Sequence, residues 1–131
     1  MEREILFRGQ RFSGLNEPYS NEWVEGFYYQ LGLQHYIRKD IHVWEVDHKT
    51  VGQFTGLKDK NGKKIFEGDI VVPCLTRQFG SVIFMDGMFC FTVDQFHSEL
   101  KPLCISISMA RKANNPYEVI GNIHDNPELL K

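Results

Sequence analysis

The chain has 131 residues, 42% hydrophobic and 24% charged, which is long enough to bury a core and ordinary for a soluble globular protein. Its formal net charge of −2 supplies no overall basic field, so any hold on nucleic acid would need a local patch. An aromatic share of 13%, with ten phenylalanines, is high for a helical bundle and points to strands, where rings and β-branched side chains pack on a pleated face.

The opening REILFR, residues 3–8, reads as a short strand, with Ile5 and Phe7 on one face and Leu6 and Arg8 on the other. A dense set of turn formers follows: Gly14, Asn16, Pro18, Ser20 and Asn21. The aromatic run WVEGFYYQL from Trp23 to Leu31 predicts a partner strand, and the alternating IHVWEV at 41–46 predicts another. These first fifty residues are expected to form a small antiparallel β unit.

From Val51 the texture changes to VGQFTGLKDKNGKKIFEGDIVVP, rich in glycine and lysine. Its Asn61-Gly62 pair suits a tight turn, because both residue types tolerate positive φ. Glu67-Gly68-Asp69 marks a second turn, after which Ile70-Val71-Val72 opens a strand that Pro73 closes. In SVIFMDGMFCFTV, Asp86-Gly87 separates two apolar runs of strand length, the pattern of a β-hairpin. PLCISIS at 102–108 alternates as a strand, YEVIGNI from Tyr117 closes the sheet, and NPELLK forms a frayed helical turn. No amphipathic helix of ordinary length emerges. Many short strands between turns predict a mainly β chain that closes as a small barrel or roll, with parts at 1–50 and 51–131.

Four stretches carry a family resemblance. They are REILFRGQR, EWVEGFYY, the central VGQFTGLKDKNGKKIFEGDIV, and the tail YEVIGNIHDNPELL. Together they resemble the YopX family of phage and prophage proteins over both ends and the middle; residues 76–112 add nothing. The resemblance implies a phage or prophage origin and an SH3-like barrel in the C-terminal part. It implies no activity and brings no catalytic or ligand residues. The matching positions are turn formers and core residues such as Phe54, Phe66 and Ile70.

A search for chemistry returns little. His35, His42, His48, His97 and His124 lack the close spacing of a metal site. His42 and His48 would share a face only on one continuous strand, so ordinary surface histidines are the preferred reading. Cys74, Cys90 and Cys104 have no CxxC spacing and lie in apolar runs, as buried small hydrophobes in a reducing compartment. There is no GxSxG elbow and no phosphate-binding glycine loop. Glu67 and Asp69 could pair as carboxylates, but Asp69 closing its own turn is the simpler role. No cofactor, metal or catalysis is therefore expected.

Two binding readings remain. Lys58, Lys60, Lys63 and Lys64 surround the Asn61-Gly62 turn, with Phe54 and Phe66 on either side, as single-strand nucleic-acid binding would require. Asp59, Glu67 and Asp69 nearly cancel that charge, and both rings are expected to be buried. The favoured reading is a protein partner or self-association, with Trp23, Tyr28 and Tyr29 as aromatic contacts. MEREILFRGQ alternates charge without the apolar run of a leader, and no stretch approaches the roughly 20 apolar residues of a membrane span, so a cytoplasmic protein is expected.

Overall fold

The computed structural model describes residues 4–12, 22–73, 80–85, 87–92, 100–102 and 117–130. They are mainly strand with almost no helix, in two antiparallel sheets. The chain divides into two compact units, Met1–Phe54 and Thr55–Lys131.

The first unit contains β1 (Phe7–Gln10), β2 (Trp23–Leu31), β3 (Gln34–Lys39) and β4 (His42–Glu45), with β5 (Gly52–Lys58) entering beside β1 through Gly52 and Gln53. Their order is β4-β3-β2-β1-β5. β2 covers the span its composition predicts. β1 starts later than expected, because its register is set by pairing Phe7–Gln10 with Gly26–Trp23. β3 has no sequence counterpart. Alternation sends Val24, Ile37 and Val46 inward to a buried cluster, with Tyr28, Trp44 and Val51 packed around it. Two glycines permit that packing. A methyl at Gly9 would press on Val51, Ile37 and Val46, and one at Gly26 would overlap the Arg38 carbonyl oxygen.

This sheet curls on itself. Beyond β1 the chain reaches the far end of β4, where Arg11 bridges Val46, the Phe12 amide donates to the Glu45 carbonyl (3.0 Å) and the Asp47 amide donates to the Gln10 carbonyl (2.9 Å). A 3-10 turn at His48–Thr50 locks the corner. Asp47 caps it by accepting from the Lys49 amide, and the Thr50 hydroxyl accepts from the Gln10 amide (2.8 Å) while donating to the Asp47 carbonyl (2.7 Å).

The second unit holds the rest of β5, then β6 (Lys64–Phe66), β7 (Asp69–Pro73), β8 (Gly80–Met85), β9 (Met88–Thr92), β10 (Leu100–Pro102) and β11 (Tyr117–Asn122). Five of these form a sheet in the order β10-β9-β8-β7-β11. Its core is Ile65, Val71, Val82, Phe91 and Tyr117, flanked by Leu57, Phe89 and Val119. Each fully buried aliphatic side chain here contributes about 1.5–3 kcal/mol. Met85 pairs with Met88 across the expected hairpin; Asp86 lies outside the described residues. Along β7 and β11 the register shifts between Val119 and Gly121, a bulge that leaves Ile120 as the extra residue. A 3-10 turn at Pro127–Leu130 fulfils the expected helical turn. Of the strand expected at 102–108, only Pro102 is described, as the end of β10. Among the described residues the second sheet stays open, with β10 and β11 at its edges.

Candidate functional site

The face of the first sheet opposite its core carries a group of exposed and half-buried aromatic residues. Because side chains alternate, Trp23, Glu25, Phe27, Tyr29 and Leu31 of β2 point away from Val24 and Tyr28. Register carries this outward set across the sheet. Tyr29 lies opposite Tyr36 and Phe27 opposite Arg38; on β4, Glu45 lies opposite Tyr36 and Val43 opposite Arg38. Tyr29 and Tyr36 stack with ring centroids 5.4 Å apart and 21° between planes, and Phe27 stacks on Tyr29 at 6.2 Å and 27°. The three rings stand side by side like plates in a rack. Phe27 is 68% exposed, Leu31 62% and Val43 48%, so solvent reaches an apolar strip on a formed sheet. The Tyr36 hydroxyl donates to Gln34 Oε1 at 3.2 Å.

The three aromatic residues singled out in the sequence separate. Tyr29 is in the rack. Trp23 is on the same face but half-buried, with the Arg8 guanidinium 4.7 Å from its ring centroid and Arg8 itself buried. Tyr28 is on the core side, between Phe7 and His35 at 5.5 and 5.8 Å, and its hydroxyl bonds His35 Nδ1 at 2.5 Å. Sequence reading missed Phe27, Tyr36, Arg38 and Val43. The alternation within WVEGFYYQL already places Phe27 beside Tyr29, but Tyr36 and Arg38 need β3.

The lysine loop is organised around an acid. Asp59 is buried, and its Oδ1 accepts from the Asn61 amide (2.8 Å) and the Lys63 amide (2.9 Å). Oδ2 accepts from the Val119 amide of β11 at 3.0 Å. Burial pushes this carboxyl up, but the amides of Val119, Lys63 and Asn61 and the Lys63 charge outweigh it and hold the group below its ordinary value. The Gly62 amide donates to the Asp59 carbonyl at 3.0 Å, with φ +84° at Gly62, so the Asn-Gly turn forms as predicted. Lys60 pairs with Glu118 at 3.3 Å. Lys58 and Lys63 are exposed and Lys64 is half-buried. Phe54 and Phe66 are both buried, so the loop has neither ring available for stacking.

The remaining groups are structural in their contacts. Asp69 is buried and accepts from the Phe66 amide at 2.8 Å, closing its turn as expected. Cys90 is buried; Cys74 and Cys104 lie outside the described residues. His48 stacks on His35 at 4.8 Å and His42 on Trp44 at 5.7 Å. Among the described residues no three histidine, cysteine or carboxylate groups are placed to hold a metal ion. No helix among them is long and apolar enough to cross a membrane.

The family model described as YopX protein matches residues 8–131. The fold is similar to that of protein EF1440 from Enterococcus faecalis, known from a crystal structure, with a TM-score of 0.51 over 99% of this chain and 100% of that one. The two are 24% identical, so the likeness concerns the fold. No curated protein matches the chain.

Proposed function

The chain belongs to the YopX family, and from that footing we propose that it acts by binding protein, without catalysis, through the outer face of its first sheet. The observation that carries this reading is the rack of Phe27, Tyr29 and Tyr36 on the side of the sheet away from its core, with Phe27 exposed and the two tyrosines half-buried. Aromatic side chains on a rigid sheet supply contact area at low entropic cost, and interfaces are enriched in them. The protein is a phage or prophage accessory component working in the host cytoplasm. Its second unit is an SH3-like small barrel, a reading supported by the short antiparallel strands β7, β8, β9 and β11, which share one apolar cluster with Ile65 of β6.

Nucleic-acid binding through Lys58, Lys60, Lys63 and Lys64 has weaker support, since Lys60 is paired and the flanking rings are buried. The test is capture from host lysate, with and without nuclease, using the parent chain and a Phe27→Ala/Tyr36→Ala variant. Protein retained after nuclease by the parent and lost by the variant is the expected result. Retention that vanishes with nuclease, or that the variant leaves untouched, would remove this reading.

A further inference from the structure

The outer face of the first sheet has a charge arrangement that suits one occupant. Arg38 and Glu45 are diagonal neighbours on adjacent strands: Arg38 lies level with Phe27 and Val43, Glu45 level with Tyr36 and Tyr29. Both are exposed. The face thus consists of two adjoining rows, one apolar with a cation and one of tyrosines with a carboxylate.

Resting on the protein-binding reading above, we propose that this face takes a second copy of the same chain. A two-fold axis running across the strands, between the two rows, lays each row on the other row of the partner copy. Phe27 then lies over the partner's Tyr29, Arg38 over the partner's Tyr36 and Val43 over the partner's Glu45, so that ring packs on ring and each guanidinium has a carboxylate of the other copy one strand over. A dimer contact of this isologous kind requires such a self-complementary patch, and sheets stacked face to face pack in this way about 10 Å apart. Arg38 and Glu45 cancel, and Glu25 on the same face adds negative charge, so the surface does not favour a polyanion. Three partly exposed rings with Leu31 and Val43 offer on the order of 500 Å² per copy, or about 1,000 Å² in a pair, enough for a reversible dimer.

The test is sedimentation equilibrium on the full chain, on Arg38→Glu, on Glu45→Arg and on their equimolar mixture, with circular dichroism as the folding control. Each reversal alone brings like charges together diagonally across the interface, twice, and should weaken dimerisation by at least about tenfold. Mixed, the two variants restore Arg–Glu opposition at both contacts, and the heterodimer should regain the parent's affinity. A parent chain that stays monomeric, a mixture no tighter than its components, or a dimer indifferent to Phe27→Ala would overturn the proposal. A monomeric parent that still captures another protein through Phe27 and Tyr36 overturns the second copy while leaving the protein-binding reading in place.

Discussion

Removing the Asp59 carboxylate tests how the second unit is held together. Asp59→Ala deprives three backbone amides of their acceptor: Asn61, Lys63 and, 60 residues away along the chain, Val119. A hydrogen bond to a charged acceptor contributes about 1.5–3 kcal/mol, and an amide left buried without a partner costs a similar amount. Water can reach Asn61 and Lys63, which are exposed, and recovers much of their share. The Val119 amide, at the edge where β11 meets the turn, has less access. Together these place the loss at about 3 kcal/mol, and Asp59→Asn, which keeps one acceptor oxygen, at about half of that.

The carboxyl also makes this stability depend on pH. Its folded value lies below its ordinary one, so the contribution is complete above the unfolded carboxylate range and is lost as pH falls through the folded value. Parent and Asp59→Asn should therefore differ most near neutrality and converge below about pH 4. Trp23 and Trp44 are the only tryptophans and both lie in the first unit, so their fluorescence does not report directly on the residues around Asp59. Urea unfolding by far-ultraviolet circular dichroism, with hydrogen exchange at the Val119 amide, does. An Asp59→Ala protein within about 0.5 kcal/mol of the parent at pH 7, with Val119 equally protected, would refute the reasoning.

Gly26→Ala should destabilise the first unit by about 2 kcal/mol or more, because its methyl meets the Arg38 carbonyl oxygen; tryptophan fluorescence in urea reads this directly. Tyr28→Phe removes the hydroxyl bonded to His35 Nδ1 and should cost about 1 kcal/mol in the same assay. Lys60→Ala breaks a half-exposed ion pair with Glu118 and should change stability by less than about 0.5 kcal/mol at ordinary salt. Phe27→Ala should be almost as neutral for stability, within about 0.5 kcal/mol, because the ring is largely exposed; a larger loss would mean that the ring belongs to the core.

Local chemistry accounts for what was legible in the sequence. Trp23–Leu31 is aromatic and β-branched enough to declare a strand, and Asp86-Gly87 between two apolar runs declares β8 and β9. Asn61-Gly62 and Asp69 act through contacts a few residues away, so their roles are visible locally. β3 was not legible: in QHYIRK only Ile37 is buried, and its outward residues are as polar as a loop. β5 was hidden by Gly52 and Gly56, which read as turn formers. The aromatic rack depends on β3, since Tyr29 and Tyr36 become neighbours only through the pairing of two strands. The bond from Asp59 to the Val119 amide spans 60 residues, and no local pattern announces it.

The reach of Asp59 has a consequence for synthesis. The bonds described above for the first unit join residues up to Phe54, so they can close before β11 has left the ribosome. The second unit must wait for β11, which lines the outer side of β7 and supplies Val119 to Asp59. Until then β7 and the lysine turn each expose a row of backbone groups that a neighbouring nascent chain could pair with. The order of emergence thus makes the first unit an early-folding segment and leaves the second dependent on β11.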